Sequence, residues 1–200
     1  LTAGLKAFAI TDHDRISALL PAQRYLDRLS ADPEHMCPLP IFIPGVELST
    51  DLDGHELHLL GYFPQGGTEL LAEGRPGFVA RPLPSVFSAI DQIHQAGGLA
   101  VLAHPDQYGW CSGSPVVAGN LLRGLVRLCE AGLDGVEAYH REASPARQAE
   151  IAAAGRSLGL ILTAGSDDHG AIKGKMLLYD RNSCWTTRKE WLVAGALLSR

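Results

Sequence analysis

Short apolar runs alternate with longer segments of helical periodicity along most of the 200-residue chain. Five of the apolar runs are predicted to form strands, at residues 7–10, 41–43, 99–103, 135–139 and 160–164. An alternation of this kind is typical of βα units built around a mainly parallel sheet, and it is not typical of a β-sandwich. The chain length fits one domain with a substantial core, and the pattern contains no internal repeat, so we expect a single α/β domain over residues 1–200.

Three segments show the apolar spacing of amphipathic helices. The first begins near Ser85 and ends before Gly97, which can adopt the left-handed conformation that stops a helix. The third begins at Ser144, where serine can cap the helix and the following proline can occupy its first position, and it ends by Gly159. The second covers residues 121–131, and four leucines are expected to face inward: Leu121, Leu122, Leu125 and Leu128.

The amino-acid composition and net charge exclude some classes of function. With 17 basic and 22 acidic residues the net charge is −5, so the chain has no basic surface for a long nucleic-acid duplex. A small phosphorylated substrate or a short nucleotide remains compatible with this charge. The four cysteines show neither a CxxC pair nor the density of a disulfide scaffold, which predicts reduced thiols and a cytoplasmic location. No run of about 20 apolar residues predicts a membrane span.

Imidazole and carboxylate side chains follow several of the predicted strands, and one more histidine lies inside an apolar run. Because the ends of parallel strands converge on one face, we expect these groups to form a metal cluster. Their mixed nitrogen and oxygen donors suit Mn²⁺, Zn²⁺ or Fe²⁺. Two such ions can activate water and hold phosphoryl oxygens, which favours hydrolysis. The six candidate ligands are His13, Glu47, His58, His104, Asp167 and His169.

Five short strings occur in order along the chain: AITDHD, IPGVELS, HELHLLGY, GGLAVLAHP and GSDDHG. Together they resemble the PHP (polymerase and histidinol phosphatase) superfamily of metal-dependent phosphoesterases, and within it the nucleoside phosphatase and exoribonuclease-like branch. The resemblance covers residues 9–170. It implies a distorted (β/α)₇ TIM-like barrel that holds up to three divalent ions.

The resemblance also implies a role for each candidate ligand. His13 and His169 resemble ligands of one ion, Glu47, His58 and His104 resemble ligands of a second, and Glu47 with Asp167 resemble part of a third. On this basis Glu47, His104 and Asp167 are the predicted catalytic residues.

The chain departs from the family pattern in two places. It lacks the opening His-x-His pair with its Ser-Asp-Gly segment, and the helical insertion expected between residues 63 and 75 is reduced to a short Gly-rich link. The barrel is therefore predicted to be incomplete at its N-terminus. One hypothesis is a phosphoesterase that hydrolyses phosphomonoesters, short nucleotides or oligonucleotides by metal-activated water. The alternative is a catalytically silent or truncated domain that acts as a metal- or partner-binding module.

Several further polar residues have two interpretations each. His140 and Arg141 follow a strand and could contact a substrate phosphate, or they could simply be exposed. Asp14 could orient an imidazole, but capping the following helix is favoured. His55 is expected to face solvent beside a turn. Tyr108 could stack on a base, although anchoring its loop is the favoured interpretation.

Overall fold

The computed structural model describes residues 6–35, 37–67, 82–108 and 118–167. Strands and helices follow one another through these residues, with one short 3₁₀ turn at Pro105–Gln107. The strands are β1 Ala7–Ile10, β2 Ile41–Leu52, β3 His55–Tyr62, β4 Leu99–Leu102, β5 Gly135–His140 and β6 Ile161–Gly165. The helices are α1 Leu19–Ala31, α2 Val86–Gln95, α3 Ala118–Glu130 and α4 Pro145–Ser157.

The six strands form one sheet in the order β1-β2-β3-β4-β5-β6, which curls into a half-barrel. The pairs β1–β2, β4–β5 and β5–β6 are parallel, as predicted. The pairs β2–β3 and β3–β4 are antiparallel, so the prediction of a mainly parallel sheet is wrong around β3. The reason is the two-residue turn at Asp53 and Gly54, which is long enough for a hairpin but not for a parallel crossover.

Strand β2 is much longer than the predicted run at residues 41–43. Pro44 and Gly45 directly follow that run and would ordinarily end a strand, but β2 passes through both. At this point the strand changes partner, because pairing with β1 ends at Pro44 and pairing with β3 begins at Gly45. A Cβ atom at position 45 would come within 2.7 Å of the Thr11 side chain. Glycine therefore permits close approach here and does not end the strand.

The sheet is packed on both faces. A large apolar core lies between one face and the helices, and it includes Ile90 on α2 and Leu125 on α3. A smaller cluster covers the opposite face, where Ile43, Leu60 and Val101 pack together. Alternation along β4 explains the division, since successive side chains point to opposite faces of a strand. The smaller cluster fills the inner face of the half-barrel.

The helix ends follow the sequence signals closely. Ser85 caps α2 by accepting a hydrogen bond from the Phe87 amide, and Ser144 caps α4 by accepting one from the Arg147 amide. Gly97 has φ +75° directly after α2, as its predicted role requires. One inward-facing assignment on α3 is wrong: Leu122 is 43% exposed, because the buried stripe of this helix follows Leu121, Leu125 and Leu128.

The structure also bears on the predictions about the cysteines and about membrane spans. Cys37 and Cys129 are free thiols, as predicted, while Cys111 and Cys184 lie outside the described residues. Among the residues that the structure covers, no helix has the length and apolar character needed to cross a membrane.

Candidate metal centre

Three histidines surround the carboxylate of Glu47. Its Oε1 atom lies 3.0 Å from His104 Nε2, 3.1 Å from His58 Nδ1 and 3.6 Å from His13 Nε2. The facing nitrogens of His58 and His104 are themselves 3.2 Å apart. Four of the six candidate ligands are thus brought together around one oxygen atom.

The hairpin of β2 and β3 places Glu47 next to His58. Glu47 pairs with Leu60 and Ser49 pairs with His58, so Glu47 and His58 are diagonal neighbours on one face of the antiparallel ladder. Both residues lie in the middle of long strands, whereas the sequence predicted Glu47 at a strand end. A rigid paired backbone therefore holds these two side chains.

The segment after β1 brings His13 to the same place. His13 forms an isolated parallel bridge with Glu47, and the Asp14 amide donates to the Glu47 carbonyl at 2.7 Å. The buried Asp14 carboxylate accepts hydrogen bonds from the backbone N–H and the hydroxyl of Ser49, at 3.0 and 2.9 Å. Asp14 does not cap a helix, so the favoured interpretation of this residue was wrong. It ties the His13 segment to β2.

His104 follows β4 in a conformation that is unusual for a residue with a side chain. Its backbone has φ 24° and ψ 61°, in the left-handed region. Its buried imidazole contacts the ring of Tyr108, whose hydroxyl accepts a hydrogen bond from the His58 amide at 2.7 Å. Tyr108 is buried, which supports its interpretation as a loop anchor.

A carboxylate that the sequence analysis missed lies behind His104. Glu137 on β5 is only 4% exposed, and its Oε2 accepts a hydrogen bond from the His104 backbone N–H at 2.9 Å. The ladder between β5 and β6 shifts register between Glu137 and Tyr139, as at a β-bulge. The shift helps both Glu137 and His140 turn toward the site, although their positions differ by three, which in a regular strand would place them on opposite faces. The sequence signal that could have revealed this residue is a glutamate inside the apolar run at residues 135–139.

Two more predicted site residues, His140 and Asp167, lie beside this centre. His140 is 1% exposed, and its ring centre is 5.7 Å from that of His104. Asp167 Oδ2 lies 3.8 Å from His140 Nε2, and its charge acts on His104. Arg141 is exposed, and its Nη2 lies 4.0 Å from Glu142 Oε1. His169 lies outside the described residues.

The two buried glutamates have pKa values shifted in opposite directions. Burial raises the pKa of Glu47, but hydrogen bonds with His104 and His58 and the charge of His13 lower it to about 2. Burial raises the pKa of Glu137 to about 7, although the hydrogen bond from the His104 amide opposes this change. Glu47 is therefore the anionic centre of the site at neutral pH.

The donor set fits a divalent ion. Around a tetrahedral ion with bonds of about 2.0–2.1 Å, ligand atoms are separated by about 3.3 Å. Glu47 Oε1, His58 Nδ1 and His104 Nε2 form a triangle with edges of 3.0, 3.1 and 3.2 Å. His13, Glu47 and His58 form a second trio, whose ligand atoms lie within 4.8 Å of one another. Two trios that share Glu47 and His58 are compatible with a carboxylate that bridges two ions.

No protein-family model matches the chain. The 5'-3' exoribonuclease Rnm of Escherichia coli is 26% identical, and the match covers 94% of this chain and 80% of that protein. A phosphoribosyl 1,2-cyclic phosphate 1,2-diphosphodiesterase of Eggerthella lenta is 41% identical over 85 residues, which cover 41% of this chain and 27% of that protein. A crystal structure from Bifidobacterium adolescentis, of a protein named as a metal-dependent phosphoesterase, has the same fold. It has a TM-score of 0.65 and 19% identity, and it covers 100% of this chain and 90% of that one.

These comparisons confirm the predicted resemblance to PHP-type metal-dependent phosphoesterases. One of these proteins, from Bifidobacterium adolescentis, is a metal-dependent phosphoesterase by name. The individual ligands stay predictions, which the geometry of the site supports.

Proposed function

We propose that this chain is a PHP-type phosphoesterase domain that hydrolyses phosphomonoesters, short nucleotides or oligonucleotides with the help of divalent metal ions. The observation that carries the proposal is the triangle of donor atoms from Glu47, His58 and His104. Phosphoester hydrolysis is the chemistry that the names of its relatives share, and two of them act on RNA or on a cyclic phosphate by name. Fold and site support the same class of reaction.

The chain supplies a ligand group for at least one ion. Glu47, His58 and His104 would hold the first ion, and His13 with the bridging Glu47 would contribute to another. Asp167 and His169 are proposed to complete the set, for up to three ions of Mn²⁺, Zn²⁺ or Fe²⁺. When bound, such ions would activate water and stabilise charge on the transferring phosphoryl group. We propose this site within one PHP-like domain over residues 1–200, with a barrel related to the distorted (β/α)₇ form.

The protein groups have separate tasks in this proposal. Glu47 stays ionised and neutralises part of the metal charge, while the hairpin fixes its direction. His140 Nδ1 accepts from the Glu142 amide at 3.4 Å, so its Nε2 carries the hydrogen and can donate to a phosphate oxygen. Arg141 would contribute positive charge from the more exposed side. The phosphate contacts of His140 and Arg141 remain proposals.

The net charge of −5 favours a small phosphorylated substrate or a short nucleotide over a long duplex. A cytoplasmic location also stays a prediction, based on the cysteine pattern.

The test combines metal content with turnover. The purified chain is loaded with Mn²⁺, its metal is measured by elemental analysis, and phosphate release is followed with a panel of mononucleotides. His104→Ala should remove metal and activity, whereas His55→Ala, at the exposed start of β3, should keep both. If the wild-type chain binds no ion and releases no phosphate, the silent-module alternative replaces this proposal.

A further inference from the structure

The backbone conformation of His104 is locally unfavourable and requires a stabilising contact from elsewhere in the fold. A left-handed conformation is unfavourable for a residue with a Cβ atom, and His104 has φ 24°. The next residue is Pro105, and residues before proline ordinarily prefer extended backbone. Without an external contact, His104 would relax toward an extended conformation, and its imidazole would point away from Glu47.

Glu137 provides that contact from the neighbouring strand. Its Oε2 accepts the His104 N–H at 2.9 Å, and both residues are 4% exposed. A hydrogen bond inside the protein, where the local dielectric is low, is stronger than one in water. The contact is made to the backbone of His104, so Glu137 acts on the direction of the imidazole.

The surrounding structure leaves room for this carboxylate. A Cβ atom at position 165 would overlap Glu137 Oε1, so only glycine allows β6 to pass beside the carboxylate in this position. The irregularity in β5 between Glu137 and Tyr139 lies at the same level. Bulges of this kind commonly re-aim a side chain next to a functional site. Two independent features of the backbone thus accommodate Glu137.

We propose that Glu137 is a positioning residue, which holds His104 in its metal-binding conformation by accepting the His104 backbone N–H. It acts through His104 and is not itself a metal ligand. Removing the acceptor should weaken metal binding, and keeping a neutral acceptor should preserve it. This inference rests on the metal site proposed above.

The experiment compares four variants of the full chain by calorimetric titration with Mn²⁺. Glu137→Ala should lower metal affinity by about 10- to 100-fold, as is typical for loss of a group that orients a ligand. Glu137→Gln keeps an oxygen acceptor and should stay within about threefold of wild type. Thr163→Val is the matched control, because Thr163 is buried opposite Glu137 on β6, and this variant should bind metal normally.

Gly165→Ala is the fourth variant, and it tests the same contact if Glu137→Ala fails to fold. It retains Glu137 but displaces the carboxylate, so metal affinity should fall as in Glu137→Ala. Amide hydrogen exchange of His104 in the metal-free chain gives a second readout: exchange should be slow in wild type and in Glu137→Gln, and faster in Gly165→Ala.

Three results would overturn the proposal. The first is normal metal affinity in a folded Glu137→Ala or Gly165→Ala variant. The others are a loss of metal affinity in Glu137→Gln, or in Thr163→Val, as large as the loss in Glu137→Ala. Failure of the proposed function is distinguishable from these results, because the wild-type chain would then bind no ion in the same titration.

Discussion

Glu47 and His58 meet as diagonal neighbours across the antiparallel pair of β2 and β3, with 3.1 Å between Glu47 Oε1 and His58 Nδ1. The two-residue turn at Asp53 and Gly54 joins these strands, so the turn sets the register that brings the side chains together. A slip of one residue would move one of the two to the opposite face of the sheet. The geometry of the candidate metal centre therefore depends on the hairpin.

Replacing His58 should abolish the centre, because His58 belongs to both candidate ligand trios and its Nδ1 lies 3.1 Å from Glu47 Oε1 and 3.2 Å from His104 Nε2. We expect His58→Ala to lose at least about 100-fold in metal affinity, beyond the usual effect of an outer group. The matched control is His55→Ala, three residues earlier and exposed. Calorimetric titration with Mn²⁺ distinguishes the two variants, and equal affinities would argue against His58 as a ligand.

Asp14 should contribute to stability through its two hydrogen bonds to Ser49. Because the carboxylate is buried, Asp14→Ala is expected to lower the free energy of unfolding by about 2–3 kcal/mol. Asp12→Ala removes an exposed carboxylate two residues earlier and should change it by less than about 0.5 kcal/mol. Urea denaturation of both variants checks this prediction, which fails if they unfold at the same midpoint.

Metal affinity should depend on pH, because a proton and an ion compete for Nε2 of His104. Burial lowers the pKa of His104, but the hydrogen bond with Glu47 and the charges of Glu47, Glu137 and Asp167 raise it above 6.5 overall. Affinity should therefore be complete above this raised pKa and fall as the pH decreases through it. Titrations with Mn²⁺ from about pH 8 to about pH 5.5 test this, and a constant affinity would contradict it.

Two leucines on α3 should differ sharply in their effect on stability. Leu125 is fully buried, whereas Leu122 is 43% exposed. Leu125→Ala should cost about 2–5 kcal/mol in the free energy of unfolding, while Leu122→Ala should cost less than about 1 kcal/mol. Thermal unfolding in the presence of a chelator measures both without a contribution from bound metal. Similar losses would mean that Leu122 is buried in solution.

Much of the fold could be predicted from local patterns. Ser85 and Ser144 cap their helices as expected, and the strands from β4 onward lie close to the predicted positions. Asp53-Gly54 is a turn pair typical of hairpins, but the β2–β3 hairpin was not predicted because Pro44 and Gly45 normally interrupt a strand. Here they lie where β2 changes its partner, and this depends on tertiary structure.

The site could be predicted in part. Short motifs identified His13, Glu47, His58 and His104, and the structure brings these four together. Glu137 was missed because its role depends on a bulge and on a contact between strands, neither of which has a simple sequence period.

The location of a bound ion tests the central claim most directly. Crystals of the Mn²⁺-loaded chain should show an anomalous diffraction peak about 2.0–2.3 Å from Glu47 Oε1, His58 Nδ1 and His104 Nε2. A peak in this position would establish the metal centre that the phosphoesterase proposal requires. Fully occupied manganese elsewhere in the molecule, with no peak between these three atoms, would contradict it.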